Sequence, residues 1–88
     1  MRIWKWQIDL TDYPITLEMP ADAQILDVQM QNGKCCMWAL CDHRRETQSR
    51  ALAIYGTGAP IPDKPGKYVA TFQMNDGEFV FHVFEVKP

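Results

Sequence analysis

A chain of 88 residues is one domain with a thin core, and a net charge of −2 gives it no basic surplus for a generic grip on nucleic acid. Its apolar fraction of 47% is ample for so small a body, so some of that material is expected to be covered by a partner copy. No run approaches the ~18 apolar residues of a membrane span, and Met1-Arg2-Ile3-Trp4-Lys5-Trp6 lacks the apolar stretch of a signal peptide.

Arg2–Leu10 alternates, with Trp4, Trp6, Ile8 and Leu10 on one face and Lys5, Gln7 and Asp9 on the other. Period two over this length predicts a half-buried strand. Thr11-Asp12-Tyr13-Pro14 breaks it. Ile15, Leu17 and Met19 give a second short strand that Pro20 ends. Ile25–Gln31 reads as a third, with Leu26, Val28 and Met30 inward. Asn32-Gly33 then predicts a tight hairpin, because a type I′ turn needs positive φ at both central positions.

The returning strand, Lys34–Asp42, is apolar on both faces: Cys36, Trp38 and Leu40 on one, Cys35, Met37, Ala39 and Cys41 on the other. It is expected to be central and covered on both sides. Three cysteines, two of them adjacent, make a poor disulfide framework and read as reduced thiols of an intracellular protein. His43–Ser49 is polar and reads as an exposed loop. Arg50–Tyr55 is a fifth strand, running into Gly56-Thr57-Gly58 and the prolines Pro60, Pro62 and Pro65.

Tyr68–Met74 is a sixth strand, with Tyr68, Ala70, Phe72 and Met74 on one face. Asn75-Asp76-Gly77 is a second hairpin turn. Glu78–Val86 is the seventh strand and is again apolar on both sides. The expectation is an all-β domain over residues 1–88: a small antiparallel β-sandwich or curled sheet, a partly open barrel, of about seven strands. With no amphipathic helix as a lid, the sheet must fold over itself, pair with another copy, or do both. A homo-oligomer is expected, most simply a symmetric dimer.

Several blocks resemble one family in order. They are Ile3-Trp4-Lys5-Trp6, Val28-Gln29-Met30-Gln31-Asn32-Gly33, Trp38-Ala39-Leu40, Ile54-Tyr55-Gly56-Thr57-Gly58, Gly66-Lys67-Tyr68-Val69-Ala70-Thr71-Phe72-Gln73 and Val80-Phe81-His82-Val83-Phe84-Glu85. Together they resemble a family of small bacteriophage and prophage proteins over nearly the whole chain. In that family a histidine often follows the second glycine. Ala59 stands there here, so no role for it carries over. The resemblance implies origin in a phage and residence in the bacterial host cytoplasm, and a counter-defence role by association with other small phage proteins.

The chemistry-bearing candidates are sparse. Gly56, Thr57 and Gly58 can turn backbone N–H groups and a hydroxyl towards a phosphate, although the lysine and helix start of a P-loop are missing. A tight strand-exit turn explains the same residues. Arg44, Arg45 and Arg50 offer planar forks for phosphates but flank the opposite end of the fifth strand, and a solvated polar loop is their plainer reading. Trp4, Trp6, Trp38 and Tyr55 offer stacking rings, against the plainer reading as core or interface filling. Trp4 and Trp6 are candidates for an interface on an edge strand, against the plainer reading as core. His82 reads as a hydrogen-bonded histidine within an apolar strand. Cys35 and Cys36 point to opposite faces and cannot share one ion.

No catalytic residue, metal site or cofactor is expected, and no enzyme. The leading expectation is an oligomeric phage protein that sequesters a small phosphate-bearing signalling nucleotide. The alternative is an inhibitor or adaptor that binds a host protein through an exposed apolar edge. Neither a membrane nor long nucleic acid is expected as a partner.

Overall fold

A computed structural model describes residues 1–11 and 13–87. It contains seven strands: β1 Arg2–Gln7, β2 Ile15–Pro20, β3 Gln24–Gln31, β4 Lys34–Cys41, β5 Thr47–Gly56, β6 Lys67–Met74 and β7 Phe79–Val86. They form two antiparallel sheets, one in the order β1-β4-β3 and one in the order β2-β5-β7-β6. No helix among the described residues is long and apolar enough to cross a membrane.

The two strands that are apolar on both faces are interior strands, as their patterns require. β4 lies between β1 and β3, and β7 lies between β5 and β6. One face of β4 (Cys35, Met37, Ala39, Cys41) meets Leu52 of β5, Phe72 of β6 and Val83 of β7 in a single core. Val28, Met37, Ala39, Cys41 and Val83 are completely enclosed there. Burial of the valine and methionine side chains contributes roughly 1.5–3 kcal/mol each, and the smaller Ala39 and Cys41 contribute less. The two sheets are therefore each other's lid.

Both hairpin turns adopt the backbone their residues favour. Asn32 and Gly33 have φ of 51° and 78°, and Asn75, Asp76 and Gly77 have 52°, 54° and 89°. Hairpin register follows, pairing Gln31 with Lys34 and Met74 with Phe79.

Four expectations need correction. β1 ends at Gln7, not Leu10, although the Ile8 amide still donates to the Cys35 carbonyl at 2.8 Å. The polar run after β4 is shorter than expected. Thr47, Gln48 and Ser49 belong to β5 and pair with Pro20, Met19 and Glu18, since joining an edge strand requires backbone groups and no apolar face. A bulge between Ile25 and Asp27 turns Leu26 outward, leaving it 42% exposed while Ile25 packs on the core. A second bulge between Tyr68 and Ala70 turns Tyr68 out and Val69 in.

β3 runs alongside β6, and the seam between them carries a side-chain bridge: Gln29 Nε2 donates to the Thr71 carbonyl at 3.2 Å. At the other seam, Trp6 Nε1 donates to the Glu18 carbonyl at 3.1 Å. The molecule is a sandwich curled towards a barrel, without the continuous ladder that would close it.

Candidate functional site

The outward face of the larger sheet is built by period-two alternation along β5, β7 and β6. Ladder register sets Ala53 beside Phe84 and Phe84 beside Tyr68 in one row, and Tyr55 beside His82 and His82 beside Thr71 in the next. The bulge at Val69 is what brings Tyr68 into the first row. Tyr55 and Tyr68 both meet Phe84 edge-to-face, with centroids 6.1 and 5.8 Å away and interplanar angles of 62° and 71°. Such contacts contribute about 0.5–1.5 kcal/mol beyond burial. They form an aromatic ledge of three rings across the sheet.

A polar chain runs beside the ledge. Thr57 Oγ1 lies 2.8 Å from His82 Nε2, and Thr71 Oγ1 lies 3.1 Å from His82 Nδ1. The Tyr68 hydroxyl is 2.8 Å from Thr71 Oγ1 and continues the chain to an exposed end. A threonine hydroxyl donates or accepts as required, so either tautomer of the imidazole is satisfied. His82 is thus hydrogen-bonded within its apolar strand, and it also holds the glycine loop to the sheet.

The glycine loop is more committed to its own fold than its composition suggests. The Thr57 amide donates to the Val80 carbonyl at 3.0 Å, and the Ala59 amide donates to the Gly56 carbonyl at 3.0 Å. Gly58, with φ of 89° and open space around it, makes the turn. An anion would have to displace these bonds to gather several amides from Gly56–Gly58.

All three candidate arginines already have carboxylate partners. Arg44 clasps Asp42 through Nε at 2.9 Å and Nη2 at 3.2 Å. Hydrogen bonds from that guanidinium and from the Arg44 amide hold the Asp42 carboxyl down to about 2. Arg45 pairs with Asp22. Arg50 is largely enclosed: it grips both Glu85 oxygens and donates to the Ala23 carbonyl at 2.8 Å. The Glu85 carboxylate is the chief reason that the Arg50 pKa is raised. The arginines and the glycine loop occupy opposite ends of β5 and do not converge within one chain.

Trp6 is tied into the β1–β2 seam and packs against the core. Trp4 remains 40% exposed, with its ring 6.3 Å from that of His43. Among the described residues no three histidine, cysteine, aspartate or glutamate side chains cluster as metal ligands.

Sequence reasoning picked out Tyr55 and Thr57 but passed over Tyr68, Thr71 and Phe84 as site residues. A signal for Thr71 existed. Counting back from the Asn75-Asp76-Gly77 turn sets Thr71 opposite His82. No curated protein and no solved structure matches the chain. A family model, described as a domain of unknown function (DUF7352), matches residues 1–88. The chain therefore belongs to the DUF7352 family.

Proposed function

We propose that this is a non-catalytic binding protein whose outward sheet face takes a small nucleotide. The carrying observation is the ledge of Tyr55, Phe84 and Tyr68, flanked by the His82 hydroxyl chain. Tyr68 is exposed and Tyr55 and Phe84 are half-buried, so the ledge offers ring surface to stack on a base, and the adjacent hydroxyls meet its polar edge. Both His82 nitrogens are engaged by threonines, which supports holding a ligand in preference to transforming it. The resemblance to phage-encoded proteins adds the setting: sequestration of a host signalling nucleotide in the host cytoplasm.

Titration calorimetry against nucleosides, mononucleotides and cyclic nucleotides tests the proposal. Binding is expected with at least one nucleotide and falls by roughly fivefold or more in Tyr55→Ala, given the ~1–3 kcal/mol of one stacked base. Ligand recovered afterwards is intact by mass spectrometry. No heat with any compound, or chemical conversion of the ligand, refutes it.

Association of copies belongs to the same proposal. Ile3 is 61% exposed and Leu26 42% exposed on the smaller sheet, which leaves apolar surface for a partner copy. Light scattering reads the subunit number, and a monomer at all concentrations ends that part. The same exposure of Ile3 and Trp4 on β1 favours a second reading, an inhibitor that docks this edge on a host protein. A pull-down from host lysate that is lost in Ile3→Glu would support that reading.

A further inference from the structure

A cavity of about 350 Å³ opens where β7 ends, beside the start of β2 and the first half of β5. Its floor is the row Thr16, Ala51 and Val86, which are ladder partners across three strands. Its walls include Arg50, Lys67, Glu85 and Lys87. These are three cations and one carboxylate, a surplus of two positive charges on a protein whose net charge is −2. Both oxygens of Glu85 are taken by Arg50, so that pair is internally neutral. Lys67 stands opposite Glu85 in the ladder but forms no ion pair with it. Among the described residues neither Lys67 nor Lys87 has an ion-pair partner. The nearby acid Glu18 accepts from Ser49, another wall residue.

Lys64 adds a further cation. It borders an adjoining depression that shares Lys67 and Lys87. The chain reaches this position because Gly66 passes directly over β7. A Cβ on Gly66 would lie 2.2 Å from the Glu85 carbonyl oxygen, and its φ is 105°. Only glycine fits that crossing, and the crossing brings Lys64 and Lys67 into one depression beside the end of β7.

We infer that Lys67 and Lys87, with Lys64 beside them, form an anion seat that receives the phosphate end of the ligand whose ring lies on the aromatic ledge. This rests on the binding reading above and moves its phosphate contacts away from Gly56–Gly58 and from Arg44 and Arg45. The cavity floor shares the face of the ledge, while Lys67 and Lys87 border it from the strand ends, Lys67 in the alternate ladder row with Glu85. Ala51 and Val86 of the cavity floor lie two residues from Ala53 and Phe84, which is ~7 Å along the strands. The apolar floor also strengthens the attraction, because a phosphate there is less screened than on an open surface.

The test uses the full chain with adenosine, adenosine 5′-diphosphate and inorganic pyrophosphate as probes, read by calorimetry at low and high salt. Lys67→Gln/Lys87→Gln is the variant, with circular dichroism confirming its fold. The diphosphate is expected to bind about tenfold or more tighter than adenosine, in keeping with charge-assisted hydrogen bonds of ~1.5–3 kcal/mol. That gap should close in the variant and narrow at high salt. Equal binding of adenosine and the diphosphate overturns the seat while leaving the ring ledge intact. Pyrophosphate binding that the lysine variant abolishes and Tyr55→Ala leaves unchanged supports the seat even if no base preference appears. Failure of both phosphate probes at low salt, or an unchanged variant, overturns it.

Discussion

Single residues carry unequal weight in this fold, and two glycines show why. Gly33 and Gly66 both sit at positive φ, 78° and 105°. Around Gly33 there is open space, so Gly33→Ala is expected to lose only about 1 kcal/mol from backbone strain. At Gly66 the added methyl meets the backbone of β7, which cannot swing aside as a side chain can. Gly66→Ala is expected to lose about 2–4 kcal/mol, strain and overpacking together. Urea denaturation measures both, and equal losses would contradict the close crossing. Arg50 makes a related point. Its sequence position suggested a phosphate fork, yet its side chain is only 17% exposed and is committed to Glu85. No spacing rule links residues 50 and 85; only the β5–β7 pairing does so.

At the scale of elements, the two hairpins were readable because Asn-Gly and Asn-Asp-Gly impose their turn and hence their register. The doubly apolar patterns of β4 and β7 likewise revealed that these strands are interior. The bulges were not readable. A bulge adds one residue to one strand, and Leu26 and Tyr68 look inward by alternation until the ladder slips beneath them. That is why the aromatic ledge escaped notice: Tyr68 counts opposite Glu85 by turn arithmetic, but pairs with Phe84 after the bulge. Tyr55 and Thr57 were visible because they end a strand beside glycines. Lys67 and Lys87 carried no signal beyond being lysines. The seams between the sheets give a test at this scale. Trp6→Phe removes the donor to the Glu18 carbonyl, and Gln29→Leu removes the donor to the Thr71 carbonyl. Each is expected to destabilise by about 1 kcal/mol. They share no partner, so the double variant should lose about 2 kcal/mol. Strong non-additivity in the melting temperatures would mean that the seams are coupled.

The whole molecule hides its thiols. Cys35, Cys36 and Cys41 are all free and buried on β4. Burial, with the Cys36 thiol alongside, pushes the Cys35 pKa up from 9.0 to about 11. An unfolded chain therefore ionises this thiol first. Above pH 9 the unfolded state holds fewer protons than the folded one, so stability should fall as pH rises from about 9 to about 11. Denaturant midpoints across that range measure the fall, and Cys35→Ala should flatten it. A thiol reagent at neutral pH is expected to label the folded protein slowly and all three cysteines quickly in urea.

The side-chain stitches at the two seams have a last consequence. A fully laced hoop has no loose selvedge, whereas this one has four margins, drawn together two by two by an indole and an amide. A stranger's ribbon trying to lengthen either sheet finds the β3 and β6 margins set against one another, and meets an indole fastened across the gap between β1 and β2. Fibre growth from the folded state is thereby discouraged, and the stitches act as guards against runaway assembly as well as supports of the fold.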